Sequence, residues 1–137
     1  MRVLVCGGRE FANAPLIWRV LNNVNAWAIR ERGTGIRCLI DGAQQKTLAD
    51  GTTVGADYWA NQWAKATGTT EERYPADWKG YGRSAGPKRN QRMLDEGKPD
   101  LVIAFPGGRG TADMIRRAKT AGVPVREVGY TLNGEPA

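Results

Sequence analysis

The sequence contains no histidine, one serine and two cysteines, and these shortages exclude several kinds of chemistry. Without histidine, the commonest general base and the usual zinc ligand are missing, so we predict no metal site. Because Ser84 is the single serine, a hydrolase with a serine triad is effectively excluded. Cys6 and Cys38 lie in predicted buried strands, where reduced core thiols are expected rather than a disulfide.

Long hydrophobic runs are missing as well. No apolar stretch approaches the roughly 20 residues that a membrane span requires, and the N-terminus is too short for a signal peptide before the first strand. We therefore expect a cytoplasmic protein without a membrane partner. The 137 residues, 41% of them hydrophobic, suit one globular domain, which we predict at 1–130 with a frayed tail at 131–137.

Short apolar strands alternate with helix-like segments along most of the chain. The predicted strands are 2–6, 36–40, 71–74, 101–105 and 123–128, and the predicted helices lie between Asn13 and Gly33, at 55–67, from Pro87 to Gly97 and at 111–121. This alternation predicts an α/β fold, a Rossmann-like three-layer sandwich with about five parallel strands. Right-handed crossovers favour the strand order 3-2-1-4-5. Residues 75–82 are expected to form a loop.

A polar insertion at 44–54 separates the second strand from its helix. Asp50-Gly51 at its centre, flanked by threonines, is typical of a short β-hairpin. Such a hairpin could cover the site as a flap, whereas a passive loop is the plain alternative because isolated hairpins are marginally stable.

The transition after the fourth strand carries the strongest functional signal. An apolar run at 101–105 stops at Pro106, passes into a glycine-rich turn and continues as a helix from Thr111. Glycines let backbone amides approach an anion, and the first turn of a helix adds partial positive charge, so this geometry favours phosphate binding. An ordinary strand-to-helix turn is the alternative. The residues of the turn are Pro106, Gly107, Gly108, Arg109, Gly110 and Thr111.

Two other turns follow strands that should lie close to this one. Gly7-Gly8-Arg9 follows the first strand, and Asp41-Gly42 follows the second. In a doubly wound sheet, ligands bind outside the carboxyl ends of the strands where the strand order reverses, here between strands one and four. We therefore expect all three turns to face one crevice.

The net charge of +6 and the pI of about 9.7 admit nucleic acid as a partner. Many of the cations lie between Trp78 and Leu94, a segment without any acidic residue. They form either a solvated basic face or an anion site. We expect Arg83 and Arg89 to lie near the phosphate turn, and Arg116, on the far part of the last helix, to lie away from it.

Five short motifs occur in a fixed order over residues 1–128. They are Cys6-Gly7-Gly8-Arg9-x-Phe11, Gly55-Ala56-Asp57, Pro75-Ala76-Asp77-Trp78, Ala85-Gly86-Pro87-x-Arg89-Asn90-x-x-Met93 and Ala104-Phe105-Pro106-Gly107-Gly108-Arg109-Gly110-Thr111. In this order they resemble the YspA-type branch of the SLOG superfamily, whose members are Rossmann-like and include the Lonely Guy cytokinin-activating phosphoribohydrolases. The resemblance implies a pocket for a nucleotide or a nucleotide-derived ligand, with the phosphate at Gly107, Gly108, Gly110 and Thr111.

In the Lonely Guy enzymes, an arginine of an Arg-Lys-x-x-Met motif and the last glutamate of Pro-Gly-Gly-x-Gly-Thr-x-x-Glu carry the hydrolysis. The resemblance places Arg89, with Met93, at the first of these positions, although Asn90 replaces the lysine. Met114 stands where the glutamate should be, and a thioether cannot act as a base. Asp113 is one residue away, which is a turn of about 100° on a helix.

Three functions are compatible with these observations. Binding or sensing of a phosphorylated nucleoside ligand needs no catalytic carboxylate. A hydrolase that cleaves an N-glycosidic or phosphate-linked bond would use Arg89 and Asp113, or carboxylates drawn from Asp41, Asp57 and Asp77. A nucleic-acid binder would need an exposed aromatic and basic surface instead of a crevice.

We predict no resident cofactor other than a bound nucleotide, and the oligomeric state is open, with a homodimer as one alternative. The predicted ligand-binding residues are Gly7, Gly8, Arg9, Asp41, Gly42, Asp57, Asp77, Arg83, Arg89, Asn90, Pro106, Gly107, Gly108, Arg109, Gly110 and Thr111.

Overall fold

The computed structural model describes residues 1–129, so the predicted tail at 131–137 lies outside the described residues. In chain order the elements are β1 (Arg2–Cys6), α1 (Ala14–Arg32), β2 (Cys38–Asp41), β3 (Lys46–Thr47), β4 (Thr53–Val54), α2 (Ala56–Thr67), β5 (Thr70–Arg73), α3 (Trp78–Tyr81), a 3₁₀ turn (Gly82–Ser84), α4 (Ala85–Asp95), β6 (Leu101–Ala104), α5 (Arg109–Thr120) and β7 (Val125–Glu127). Within this part of the chain, no helix is long and apolar enough to cross a bilayer.

Five of the strands form a parallel sheet in the order β5-β2-β1-β6-β7. Once the hairpin strands β3 and β4 are set aside, this is the predicted order 3-2-1-4-5, and the α/β Rossmann-like fold is confirmed. β1 pairs with β2 along one edge and with β6 along the other, so the strand order reverses between β1 and β6. Both strands are therefore central, and their carboxyl ends are adjacent.

Helices cover both faces of the sheet because β1 is apolar on both sides. Val3 and Val5 pack in the core beneath α1 and α2, whereas Leu4 and Cys6 pack with residues of α4 and α5. Alternate residues of a strand point to opposite faces, so a strand covered on both sides appears in the sequence as a continuous apolar run. Cys6 and Cys38 are both buried and free, as the sequence predicts.

The predicted caps of the first helix are present. The Asn13 side chain accepts a hydrogen bond from the amide of Leu16 at 3.1 Å, and Gly33 ends α1 at a φ of 81°. An asparagine at the start and a left-handed glycine at the end satisfy backbone groups that the helix itself leaves unpaired.

Several helix boundaries differ from the prediction, and α4 begins at Ala85 and ends at Asp95 instead of running from Pro87 to Gly97. Residues 78–81, predicted as loop, form α3, because the Asp77 carboxylate accepts a hydrogen bond from the amide of Gly80 at 2.9 Å and starts a helical turn. The last helix begins at Arg109 rather than at 111, with Gly108 as its N-cap. Gly110 therefore belongs to the first turn of α5, not to the preceding loop.

The insertion contains the predicted hairpin. β3 and β4 pair antiparallel, with Lys46 opposite Val54, and the turn between them has Gly51 at a φ of 88°. The base of the hairpin is attached to the loop after β1, because the amide of Gly55 donates to the carbonyl of Phe11 at 2.9 Å. The hairpin thus extends from the carboxyl edge of the sheet.

Candidate functional site

A cavity of about 1060 Å³ is lined by the loops that follow β1 and β6 and by the first turns of α4 and α5. It lies where the strand order reverses, which is the position at which open α/β sheets bind ligands. Ligand pockets in proteins have volumes of about 300–1,000 Å³. This cavity is therefore large enough for a nucleotide or a larger derivative.

The loops after β1 and β6 are held together at the floor of this cavity. The amide of Gly8 donates to the carbonyl of Pro106 at 2.9 Å, and the amide of Phe105 donates to the carbonyl of Cys6 at 2.8 Å. A Cβ on Gly107 would lie 2.7 Å from the Gly8 nitrogen, so a side chain at this position would push the two loops apart. Gly107 is thus required by packing.

Gly108 and Gly110 have a different environment. A Cβ on either residue would meet no atom of the described chain within 4 Å, and both line the cavity. The amides at the start of α5 have no partner within the helix and add partial positive charge. The start of α5 therefore borders open space in the cavity, and helix N-termini of this kind bind anions in other proteins.

Arg89 projects from α4 beneath the cavity and is 6% exposed. Its Nη1 donates to the carbonyl of Gly42 at 2.7 Å and to that of Tyr74 at 3.4 Å, and its Nε donates to Oδ1 of Asn90 at 2.9 Å. The described hydrogen bonds use Nε and Nη1 but not Nη2. Burial lowers the pKa of Arg89, against the opposing attraction of Asp57. Arg89 therefore connects the carboxyl ends of β2 and β5.

Asn90 and Asp113 connect α4 to α5. Nδ2 of Asn90 donates to the carbonyl of Gly110 at 3.1 Å and to Oδ2 of Asp113 at 3.0 Å. Asp113 also forms ion pairs with Arg116 at 2.7 Å and with Arg117 at 2.8 Å. Burial alone would raise the pKa of Asp113, but the hydrogen bonds from Asn90 and Arg117 lower it. Asp113 is thus an ionised carboxylate whose oxygens are already paired.

The expectation that Arg116 lies far from the site is wrong. Arg109, Asp113 and Arg116 all line the cavity, because residues three or four apart share one face of a helix. α5 therefore presents a charged face to the cavity along two of its turns.

Asp41 does not reach the cavity, contrary to the prediction. It is fully buried, and its Oδ1 accepts hydrogen bonds from the amide of Ala43 at 2.8 Å and from Nε of Arg73 at 3.0 Å. Its Oδ2 and Oε2 of Glu71 are buried, and neither has a donor among the described residues. Burial is the largest cause that raises the pKa of Asp41 to about 9, and the neighbouring carboxyl groups of Glu71 and Asp57 add to the shift. The environment of Asp41 therefore favours its protonated form.

Asp57 lies at the first turn of α2 and lines the cavity. It is 6% exposed, and its Oδ2 accepts a hydrogen bond from the amide of Gln44 at 3.0 Å. Burial raises the pKa of Asp57 to about 6, although the Gln44 amide and the charge of Arg89 oppose the shift. A carboxyl with this pKa could hold or release a proton near neutral pH.

The structure brings most of the predicted residues to one cavity. Asp77 is the second exception, since its carboxylate caps α3 instead. Sequence reasoning missed Trp78 and Gly86 as cavity residues, although both belong to the recognised motifs. The predicted residues that line the cavity are Gly7, Gly8, Arg9, Gly42, Asp57, Arg83, Arg89, Asn90, Pro106, Gly107, Gly108, Arg109, Gly110, Thr111 and Asp113.

The flap interpretation of the insertion is not supported by the cavity walls. Gln44 and Gln45, at the base of the hairpin, line cavities, whereas the lining described here includes no residue of β3 or β4.

Comparison with known proteins gives two matches. The family model YAcAr, described as the YspA, cpYpsA-related SLOG family, matches residues 1–81. The Gene 61 protein of Mycobacterium phage D29 is 33% identical over 135 residues, which cover 93% of this chain and 96% of that protein. The family match contains β1 to α3, and the similarity to the phage protein extends over nearly the whole chain.

We predict that Asp41→Asn reduces the pH dependence of stability. Because the pKa of Asp41 rises from an ordinary 3.8 to about 9 on folding, the native state holds a proton that the unfolded chain has lost. The free energy of unfolding should then fall as pH rises from about 4 to 9, by up to about 1.4 kcal/mol per pH unit from this group. Asparagine cannot ionise, so urea denaturation at pH 5, 7 and 9 should show a shallower decline.

Asp95→Asn, at an exposed carboxylate of α4, is the matched control and should retain the decline of the natural protein. Equal pH dependence in all three proteins would contradict the assignment of the proton to Asp41.

A second prediction concerns the buried guanidinium. Arg89→Lys should lower the free energy of unfolding by about 1–3 kcal/mol, because one ammonium cannot replace the bonds made by Nε and Nη1. Arg92→Lys, at an exposed position of the same helix, should change it by less than about 0.5 kcal/mol. Urea denaturation measures the free energy of unfolding of both variants. Equal losses would show that the hydrogen bonds of the Arg89 guanidinium do not contribute to stability beyond its positive charge.

Proposed function

The chain belongs to the YspA, cpYpsA-related SLOG family, and from this premise we propose that it binds a nucleotide or a nucleotide-derived phosphorylated ligand. The observation that carries the proposal is the N-terminus of α5, which lines the 1060 Å³ cavity with Gly108 and Gly110 and leaves space for an anion. A ligand phosphate would accept hydrogen bonds from the amides of this turn.

The charges around the cavity support an anionic ligand. Among the ion pairs within residues 1–129, none involves Arg9, Arg83 or Arg109, and all three line the cavity. The acidic Glu10 and Asp113, by contrast, are paired with Lys46 and with two arginines. The cavity therefore has an excess of unpaired positive charge, which attracts phosphate.

Binding or sensing is better supported than hydrolysis. Met114, at the position of the catalytic glutamate in the Lonely Guy motif, is fully buried in the core with Leu4 and Val102. Its thioether cannot act as a base, so it does not supply the function that the glutamate has in that motif. Asp113 faces the cavity, but its oxygens are held by Asn90, Arg116 and Arg117.

A hydrolase is the second candidate, and Asp57 is the observation that favours it. Its carboxyl lines the cavity, and its pKa of about 6 suits proton transfer near neutral pH. In cleavage of an N-glycosidic bond, water would add to the sugar while the base leaves with a proton. Asp57 would supply or accept that proton, with Arg89 nearby to stabilise its carboxylate form.

Several further expectations stay predictions. A homodimer, a cytoplasmic location and a single domain over 1–130 are consistent with the fold but rest on the sequence. Binding of nucleic acid is disfavoured because Arg9, Arg83 and Arg109 surround a concave cavity.

We predict that Gly108→Val abolishes binding of AMP and of ribose 5-phosphate. A Cβ at this position would meet no atom beyond the adjacent residues, and Gly108 lines the cavity, so we expect the valine side chain to occupy space that the phosphate needs. Its φ of −100° lies outside the left-handed region that favours glycine, so we expect the fold to be retained. Isothermal titration calorimetry measures the binding, and circular dichroism checks the fold.

The control is Ala121→Val, which adds bulk at the opposite end of α5 and should bind both ligands normally. Undiminished affinity in a folded Gly108→Val variant would contradict the placement of the phosphate.

A further prediction separates the two candidate functions. The protein should hydrolyse AMP to adenine and ribose 5-phosphate slowly or not at all, because Met114 provides no carboxylate. Chromatography of the products measures the rate. A turnover of about 1 per second or faster, which is within the ordinary range of enzymes, would favour the hydrolase, and its loss in Asp57→Asn would identify the proton carrier.

A further inference from the structure

Trp78 stands between two cavities. It lines the 1060 Å³ cavity and also an adjoining one of about 290 Å³, which shares Arg9, Gly42 and Gln44 with the first. The residue is 52% exposed. Exposure of a single tryptophan is ordinary on a protein surface. The location of this one, at the wall of the candidate site, is what calls for an explanation.

The backbone beneath Trp78 is held in place by local hydrogen bonds. The Asp77 carboxylate accepts from the amide of Gly80 at 2.9 Å, and the Asp77 carbonyl accepts from the amide of Tyr81 at 3.0 Å. The Ser84 hydroxyl donates to the carbonyl of Tyr81 at 2.8 Å. The short helix is therefore a fixed support for the indole ring.

The start of α4 leaves room for that ring. A Cβ on Gly86 would lie 3.2 Å from Cη2 of Trp78, closer than most such contacts. Gly86 also lines the cavity, so the edge of the indole rests against the helix at this point. Among the aromatic and cation contacts of the described residues, none involves Trp78.

Trp27 provides a comparison within the same chain. It is 41% exposed on α1, and its ring is covered by the guanidinium of Arg32 at 5.8 Å. It belongs to neither cavity. The ring of Trp27 thus already has a cation–π partner within the protein, whereas the ring of Trp78 borders the space that a ligand would fill.

We propose that Trp78 is the stacking platform for a planar heterocyclic ring of the ligand, whose phosphate lies at the N-terminus of α5. This rests on the proposed function and deepens it, because it requires the base as well as the phosphate. Aromatic side chains bind nucleobases by stacking, and every base offers a flat face for it. The cavity then has an aromatic wall for the base and a backbone-amide end for the phosphate.

The test compares two ligands that differ by the base. AMP carries the base and the phosphate, and ribose 5-phosphate carries the phosphate and sugar without the base. Trp78→Ala should weaken AMP binding by about tenfold or more, as expected for the loss of one stacked base. The affinity of Trp78→Ala for ribose 5-phosphate should stay within about twofold of the affinity of the natural protein, because this ligand has no base to stack on the indole. Trp78→Phe, which keeps a flat ring, should retain most of the AMP affinity.

Trp27→Ala is the matched control and should bind both ligands normally, since it removes an exposed indole outside the cavities. Calorimetry gives the affinities, and circular dichroism checks that each variant is folded. Equal loss of both ligands in Trp78→Ala, or no loss of AMP, would overturn the stacking role. Failure of the natural protein to bind either ligand would overturn the proposed function itself and the stacking role with it.

Discussion

The hydrogen bonds of Arg89 are the constraint on which the candidate site depends. A buried guanidinium is costly unless its donors are paired, and here Asn90 accepts from Nε while the carbonyls of Gly42 and Tyr74 accept from Nη1. These carbonyls follow β2 and β5, while Asn90, the next residue along α4, holds Gly110 of α5. A Cβ on Gly42 would lie 2.5 Å from Nη1 of Arg89, so glycine is needed for the approach. Two strand ends and two helices are thereby fixed around one cavity.

Several buried carboxyl groups lie near Arg89, and their environments determine which of them could take part in proton transfer in the cavity. Asp41 lies close to Asp57, Glu71 and Arg73, and its burial among these groups raises its pKa. Unpaired charges are expensive in the interior, so burial favours the protonated form of Asp41. Asp41 links the end of β2 to Arg73 of β5, and Asp57 is the carboxyl group of this set that lines the cavity.

α5 joins the core to the candidate site. Met114 and Ala118 pack against the sheet, while Arg109, Asp113 and Arg116 line the cavity. Neighbouring residues of a helix point in different directions, so Asp113 lines the cavity while Met114 lies in the core. Met114 is also the residue at which the sequence departs from the hydrolytic motif that it resembles. The N-terminus of α5 therefore lies at the cavity, whereas Met114, at the position of the glutamate in the Lonely Guy motif, lies in the core.

The sequence alone determined the parallel sheet and its order, the caps of α1 and the hairpin at Asp50-Gly51, because these follow from periodicity and from the local chemistry of asparagine and glycine. It also predicted that the turns after β1 and β6 would meet, which the topology rules require. Only the tertiary structure decided that Asp41 is buried beside Glu71, that Asp77 caps α3, and that Trp78 borders the cavity. The direction of a side chain at a strand end or helix start depends on which neighbours surround it. Those neighbours come from distant parts of the chain, so no local pattern records them.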